Sequence, residues 1–265
     1  MKNQIYSIVP NHIHKNVYLL IRRTEYHMLE IRNLSKTYKG GKKAVSNLSL
    51  TIEKGDIYGF IGHNGAGKTT AIKCIVGIIG FEEGSVRIDG HSVVEEPILC
   101  KKITAYIPDN PDLYEYLTGV QYLNFIADMF SVPKEERTAR MEKYAEMFEI
   151  TESLGDTIST YSHGMKQKLA IISALIHKPK LLVLDEPFVG LDPKAAYTLK
   201  QIMREFCAEG GAVFFSTHVL DVAEKLCNKI AIIKQGELVV SGTTEELTHG
   251  ASFESVFLEV ISRAE

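Results

Sequence analysis

Apolar residues along this chain recur either at every second position or at helical spacing, and the two rhythms take turns. Residues 29–31 alternate and lead into a turn, and residues 45–52 alternate over much of their length, as half-buried strands do. After the turn Gly55-Asp56 comes a short apolar strand, 57–61, then a glycine-rich loop and a helix predicted over 68–79. A short strand at 85–88 ends in the turn Asp89-Gly90, and another at 103–107 ends at Pro108. Two amphipathic helices follow, 118–130 and 134–149, separated by Pro133. Tyr122, Phe125, Ile126 and Met129 share a face of the first, and Met141, Tyr144, Ala145 and Phe148 share a face of the second. Both faces are expected in the core.

A polar loop, 155–160, precedes a helix at 164–177. The run 181–184 is continuously apolar, the pattern of a strand buried on both faces. A helix at 193–207, a strand at 212–216, a helix through Cys227 and a hairpin over 230–240 turning at Gln235-Gly236 complete the pattern, with a short tail after it. Alternating strands and helices predict an α/β fold with a parallel sheet. An antiparallel portion leads into it and a helical block, 110–176, interrupts it.

Composition narrows the function classes. The chain has 265 residues, 45% hydrophobic and 24% charged, with a net charge of -3, so no global basic excess points to nucleic acid. Cys74, Cys100, Cys207 and Cys227 form no CxxC pair, which predicts buried thiols in a reducing compartment rather than disulfides or zinc. No apolar run reaches the roughly 18–20 residues that span a bilayer. Residues 1–27 differ from the rest and hold His12, His14 and His27 without an accompanying carboxylate or cysteine cluster, so no metal site is assigned there. The pattern reads as a domain start from Met28, which makes 1–27 either an extension outside the native protein or a real tail.

The strongest local signal is Gly62-His63-Asn64-Gly65-Ala66-Gly67-Lys68-Thr69-Thr70, a GxxxxGK[ST] match between a predicted strand and a predicted helix. Glycines let consecutive backbone N–H groups converge on one anion, and the helix start adds its positive end. Lys68 brings a full charge to the β- and γ-phosphates, and the Thr69 hydroxyl suits a Mg²⁺ ligand. A nucleoside triphosphate with Mg²⁺ is therefore expected. Further along, Asp185 and Glu186 close the apolar run 181–184. A carboxylate at a buried strand end needs a partner, and a metal supplies one. Asp185 is suited to Mg²⁺, and Glu186 to polarising an attacking water.

At this point the chain resembles the ABC ATPase family. Tyr161-Ser162-His163-Gly164-Met165 is similar to the signature usually written LSGGQ, with Tyr161, His163 and Met165 replacing its leucine, a glycine and the glutamine. This variant resembles the drug- and peptide-export branch. Gly190-Leu191-Asp192 resembles the D-loop, Ser216-Thr217-His218 resembles the switch-histidine motif, and Tyr38 resembles the aromatic that stacks on adenine. Asp109 stands where the family usually has the Q-loop glutamine; its carboxylate can contact Mg²⁺ or water but reaches less far.

The resemblance covers residues 28–245 and leaves 246–265 as the tail. It implies a P-loop NTPase (RecA-like) core with an antiparallel β subdomain and an inserted α-helical subdomain at about 110–176. It also implies ATP and Mg²⁺ as cofactors, Glu186 and His218 as catalytic residues, and ATP sandwiched between two subunits. The phosphate loop of one subunit would face Ser162 and Gly164 of the other, and Asp192 is a further implied nucleotide-binding residue. The implied partners are a second ATPase subunit and an integral permease at the cytoplasmic face of the membrane, with Tyr114 and Tyr116 candidates for permease contact or for the core. Export is favoured by the variant signature and short C-terminus; an importer's energy subunit is the alternative. A non-transport member acting on ribosomes or DNA is the third reading, but the chain carries neither paired nucleotide domains nor long coiled coils.

Overall fold

The computed structural model describes residues 27–248 and 252–263; His12, His14 and the remainder of the stretch before His27 lie outside them. The chain opens with β1 (Leu29–Thr37) and β2 (Lys43–Ile52), and β3 (Ile57–Ile61) leads into α1 (Lys68–Ile75). Then come β4 (Glu83–Ile88), β5 (His91–Ser92), α2 (Pro97–Ile103) and β6 (Thr104–Ile107). The helical block holds α3 (Gly119–Met129), α4 (Lys134–Met147) and α5 (His163–Ile176). β7 (Leu181–Asp185), α6 (Pro193–Ala208), β8 (Ala212–Thr217) and α7 (Leu220–Leu226) follow. The hairpin β9 (Lys229–Lys234) and β10 (Glu237–Thr243) precedes α8 (Thr244–Thr248) and α9 (Phe253–Arg263).

The strands form two sheets. One is antiparallel, in the order β2-β1-β4-β5; the other runs β10-β9-β3-β8-β7-β6. In the second sheet every pair is parallel except β9 with β10. Side chains alternate across it. Ile57, Ile61, Leu182, Leu184, Val213 and Phe215 join the core shared with α3–α6, while Tyr58, Phe60, Leu181, Val183, Ala212 and Phe214 join the core shared with α1 and the antiparallel sheet. Burial on both faces is why 181–184 carries no polar alternation. The register sets what comes next: Ile61 pairs with Thr217, Asp185 with Ser216 and Ile107 with Leu184. The carboxyl ends of β3, β6, β7 and β8 are therefore level, and the loops leaving them share one edge, where ligands of open α/β sheets bind.

Several elements depart from the pattern. β1 does not turn after Ile31 but continues to Thr37, because Asn33 takes φ 51° and shifts the register between Ile31 and Leu34, which breaks the alternation. α1 stops at Ile75, short of 79, because Gly77 takes φ 69° and its N–H bonds back to the Cys74 carbonyl. α2 had no counterpart in the periodicity; Pro97 starts it and Cys100 is its one buried residue, too few to make a stripe. On α3, Tyr122 is buried, but Phe125 and Met129 stand 41% and 66% exposed, so that face is only partly core. The α4 face behaves as expected: Met141, Ala145 and Phe148 are buried and Tyr144 packs against them. Beyond 245, where the pattern predicts only a tail, α9 buries Phe253 and Phe257.

All four cysteines are free and buried. Burial pushes the Cys74 thiol up to about 11 and the Cys207 thiol up to about 12, so both stay protonated and inert at neutral pH.

Candidate functional site

The loop after β3 is clamped from two sides. Gly67 has φ 106°, and a Cβ there would lie 2.3 Å from the Ala44 carbonyl oxygen of β2. A Cβ on Gly62 would lie 2.5 Å from the Ile233 carbonyl oxygen of β9. Backbone hydrogen bonds complete the clamp: Gly236 N–H donates to the Ala66 carbonyl (2.8 Å) and Ala66 N–H to the His63 carbonyl (3.1 Å). No side chain caps α1, so the N–H groups of its first turn, at Lys68, Thr69 and Thr70, are left for an external anion.

Lys68 is only 6% exposed. Its Nζ donates to the Gly62 carbonyl at 2.7 Å and the His63 carbonyl at 3.3 Å, and lies 3.5 Å from Glu186 Oε1. The same Glu186 oxygen lies 3.0 Å from His218 Nδ1. Glu186 takes φ 47°, a left-handed conformation that costs a non-glycine residue of order 1 kcal/mol. Ser216 holds it there: its Oγ accepts from Glu186 N–H at 3.0 Å and donates to Asp185 Oδ1.

Lys68 and Glu186 line one cleft of about 280 Å³, and Asp185, Ser216 and His218 stand behind its wall. Tyr38, His63, Asn64, Gly65, Gly67, Lys68, Thr69, Thr70, Asp109 and Glu186 all line it. Tyr38 stands at its mouth with its hydroxyl 3.2 Å from Thr70 Oγ1. Gly62 and Ala66 belong to the loop's support rather than its lining, and His218 reaches the cleft through Glu186. Lys42, Lys43 and Ala44, which no sequence motif marks, also line it. The register of β2 brings them there, and two lysines before a strand carry no local signal. Ser216 has only a motif place in the sequence; its tie between the Asp185 carboxylate and the Glu186 backbone is visible in the fold alone.

Ser162, Gly164 and Asp192 are elsewhere, packed together on a second surface. Ser162 caps α5, accepting from Met165 N–H at 3.2 Å. Asp192 caps α6, accepting from Ala195 N–H at 2.8 Å, and pairs with Lys168 at 2.9 Å. A Cβ on Gly164 would lie 2.8 Å from the Gly190 carbonyl, so this close approach requires glycine. Tyr161, in place of leucine, is buried and its hydroxyl donates to the Ser153 carbonyl at 2.5 Å. The replacement thus ties the start of α5 to the short helical turn at Glu152–Gly155.

The side chains present fit Mg²⁺. Asp185 is 1% exposed, and its Oδ2 has no hydrogen-bond partner. An unpaired carboxylate oxygen at that depth is costly unless a cation meets it. Among the described residues, no three His, Cys, Asp or Glu side chains gather into a metal cage. Hydroxyl and phosphate oxygens would have to complete the shell, as is usual for Mg²⁺.

Phosphate loop, buried acidic strand end and level parallel strands together define a P-loop NTPase fold. The family model described as ABC transporter matches residues 45–189, over half of the chain. An uncharacterized ABC transporter ATP-binding protein of Nostoc is 38% identical over 223 residues, covering 81% of this chain and 66% of that one. The linearmycin resistance ATP-binding protein LnrL of Bacillus subtilis is 34% identical over 220 residues, covering 83% and 70%. The chain thus spans about two thirds of the length of these curated relatives. A solved ATP-binding subunit of an ABC transporter superposes with a TM-score of 0.85 at 32% identity, covering 88% of this chain and 99% of that one. The chain belongs to the ATP-binding subunits of the ABC transporter family.

Proposed function

We propose that the chain hydrolyses ATP as the energy subunit of a membrane exporter, working as a dimer of ATPase subunits on the cytoplasmic face. The observation that carries this reading is the convergence of Lys68 and His218 on one oxygen of Glu186 inside the cleft. ATP phosphates would take the place of Glu186 as the partner of Lys68, held also by the free N–H groups of α1 and by the loop glycines. Tyr38 would stack on the adenine. Glu186, released from Lys68, would accept a proton from the attacking water, with His218 orienting its carboxylate. Thr69, Asp185 and Asp109 would hold Mg²⁺, which supplies charge neutralisation at the phosphates.

The same arrangement supports dimerisation. Ser162, Gly164 and Asp192 do not line their own cleft, and Ser162 and Asp192 are exposed. The start of α5 would donate to the γ-phosphate held by a second subunit, and the Asp192 loop would meet it there. Among the described residues, no helix is long and apolar enough to cross a membrane, and in this reading a permease supplies the path. Tyr114, Tyr116 and Phe125, in ring contact and exposed, suit that contact. A resistance role of the kind named in the Bacillus relative fits outward transport.

The test is phosphate release from Mg-ATP by purified protein, followed by pull-down from detergent-solubilised membranes with tagged Glu186→Gln protein and Mg-ATP. Turnover by wild type and recovery of a polytopic membrane protein are expected. No turnover above a Lys68→Ala control, with or without recovered membrane protein, refutes the hydrolytic reading; ribosomal or DNA-associated partners alone refute the transport reading.

A further inference from the structure

We infer that α9 buttresses the phosphate loop, with Phe257 as a positioning residue that acts on nucleotide binding through His63. The inference rests on the nucleotide-site reading above and adds to it an element outside all the recognised motifs. His63 is the second residue of the loop; it is solvent-exposed and lines the cleft. Among the described residues the aromatic ring packed on it is Phe257, 5.3 Å away between centroids and inclined at 63°, an edge contact. Phe257 itself is 5% exposed and part of the main core, so the contact joins a buried anchor to an exposed side chain.

His63 is well placed to pass that constraint on. Its carbonyl oxygen accepts from Ala66 N–H at 3.1 Å and from Lys68 Nζ at 3.3 Å. Fixing the ring at 63 therefore fixes a carbonyl that shapes the loop and holds the phosphate-binding ammonium. A second connection runs through the hairpin. Lys234 Nζ donates to the Ile261 carbonyl of α9 at 2.9 Å, and two residues on, Gly236 N–H donates to Ala66 on the far side of the loop. α9 thus reaches the loop directly at His63 and, through the hairpin, indirectly at Ala66, and it also packs against α7, the helix that follows His218. A loop held in its anion-binding shape before ligand arrives loses less entropy on binding, so the contact should appear in affinity.

A merely structural role for Phe257 would appear in stability alone, which allows the two to be separated. Phe257→Leu keeps an apolar side chain and removes the ring edge. It is expected to raise the Kd for a fluorescent ATP analogue with Mg²⁺ by roughly two- to tenfold, the range an aromatic pair supports, with kcat at saturating ATP unchanged. Phe257→Tyr, which keeps the ring, should restore affinity. His63→Ala, at an exposed side chain, should raise Kd by a similar factor, and adding Phe257→Leu to it should raise Kd no further, because the two residues act as one unit. Wild-type Kd in Phe257→Leu, or additive losses in the double variant, would overturn the inference. If wild type and Lys68→Ala bind the analogue equally, the nucleotide-site reading fails instead.

Discussion

Lys68 Nζ lies 3.5 Å from Glu186 Oε1, deep in the cleft where the phosphate loop meets the end of β7. The ammonium has the carboxylate and two loop carbonyls as its partners. A triphosphate would compete for the ammonium and leave Glu186 facing its γ end, so ligand binding would itself arm the base. Removing Lys68 should therefore act on binding before chemistry. Lys68→Ala is expected to weaken Mg-ATP affinity by roughly tenfold or more, since a charge-assisted contact to phosphate is lost. Isothermal titration checks this, and unchanged affinity would refute the phosphate-loop assignment.

Glu186→Gln removes one negative charge from the γ end of the cleft while keeping the side chain's shape. ATP binding should be retained or tightened, and hydrolysis should fall by roughly 10²–10⁴-fold, the contribution of a positioned general base. With the nucleotide bridge uncut, the variant should run as a dimer on a sizing column in Mg-ATP. A monomer at saturating ATP would mean that the sandwich does not form without a permease.

Gly67→Ala tests the clamp on the loop. The added Cβ would fall 2.3 Å from a backbone carbonyl at a residue with φ 106°, so β2 and the loop would have to part. A cost of about 1–3 kcal/mol is expected, with nucleotide binding lost alongside. In a thermal melt this should lower Tm by about 2–4 °C per kcal/mol. Wild-type Tm and affinity together would show that the loop is looser than its contacts indicate.

A stability effect with a defined pH window comes from His177, far from the cleft. Its ring stacks on Phe130 with centroids 3.7 Å apart, and burial, helped by Arg140, depresses its pKa from 6.5 to about 4. Because the folded-state value is the lower one, the unfolded chain takes up the proton first as pH falls. Stability attributable to neutral His177 is thus intact above about pH 6.5 and declines progressively toward pH 4, by on the order of 3 kcal/mol in all. His177→Gln should flatten the urea-melt dependence between those limits; an unchanged slope would place the acid sensitivity elsewhere.

Much of the site was legible in the chain because its parts are local. A glycine-rich turn between an apolar strand and a helix needs only a few consecutive residues to declare itself, and 181–184 followed by two carboxylates is equally compact. The helix ends and β1 were less legible, since Gly77 and Asn33 act through positive φ, which interrupts the hydrophobic rhythm that marks an element. Lys42, Lys43 and Ala44 reach the cleft only because β2 and the phosphate loop approach across more than twenty residues of chain.

The sequence by itself determined the fold class, the phosphate loop and the acidic strand end, because each follows from short-range rules of conformation and charge. Tertiary structure alone decided that Glu186 faces Lys68 and His218, that Ser216 ties the Asp185 carboxylate to the Glu186 backbone, and that residues past 245 return to set Phe257 against His63. Those relations depend on sheet register and on the packing of distant apolar groups. Burial is rewarded wherever a complementary surface happens to lie, and spacing along the chain does not encode that place.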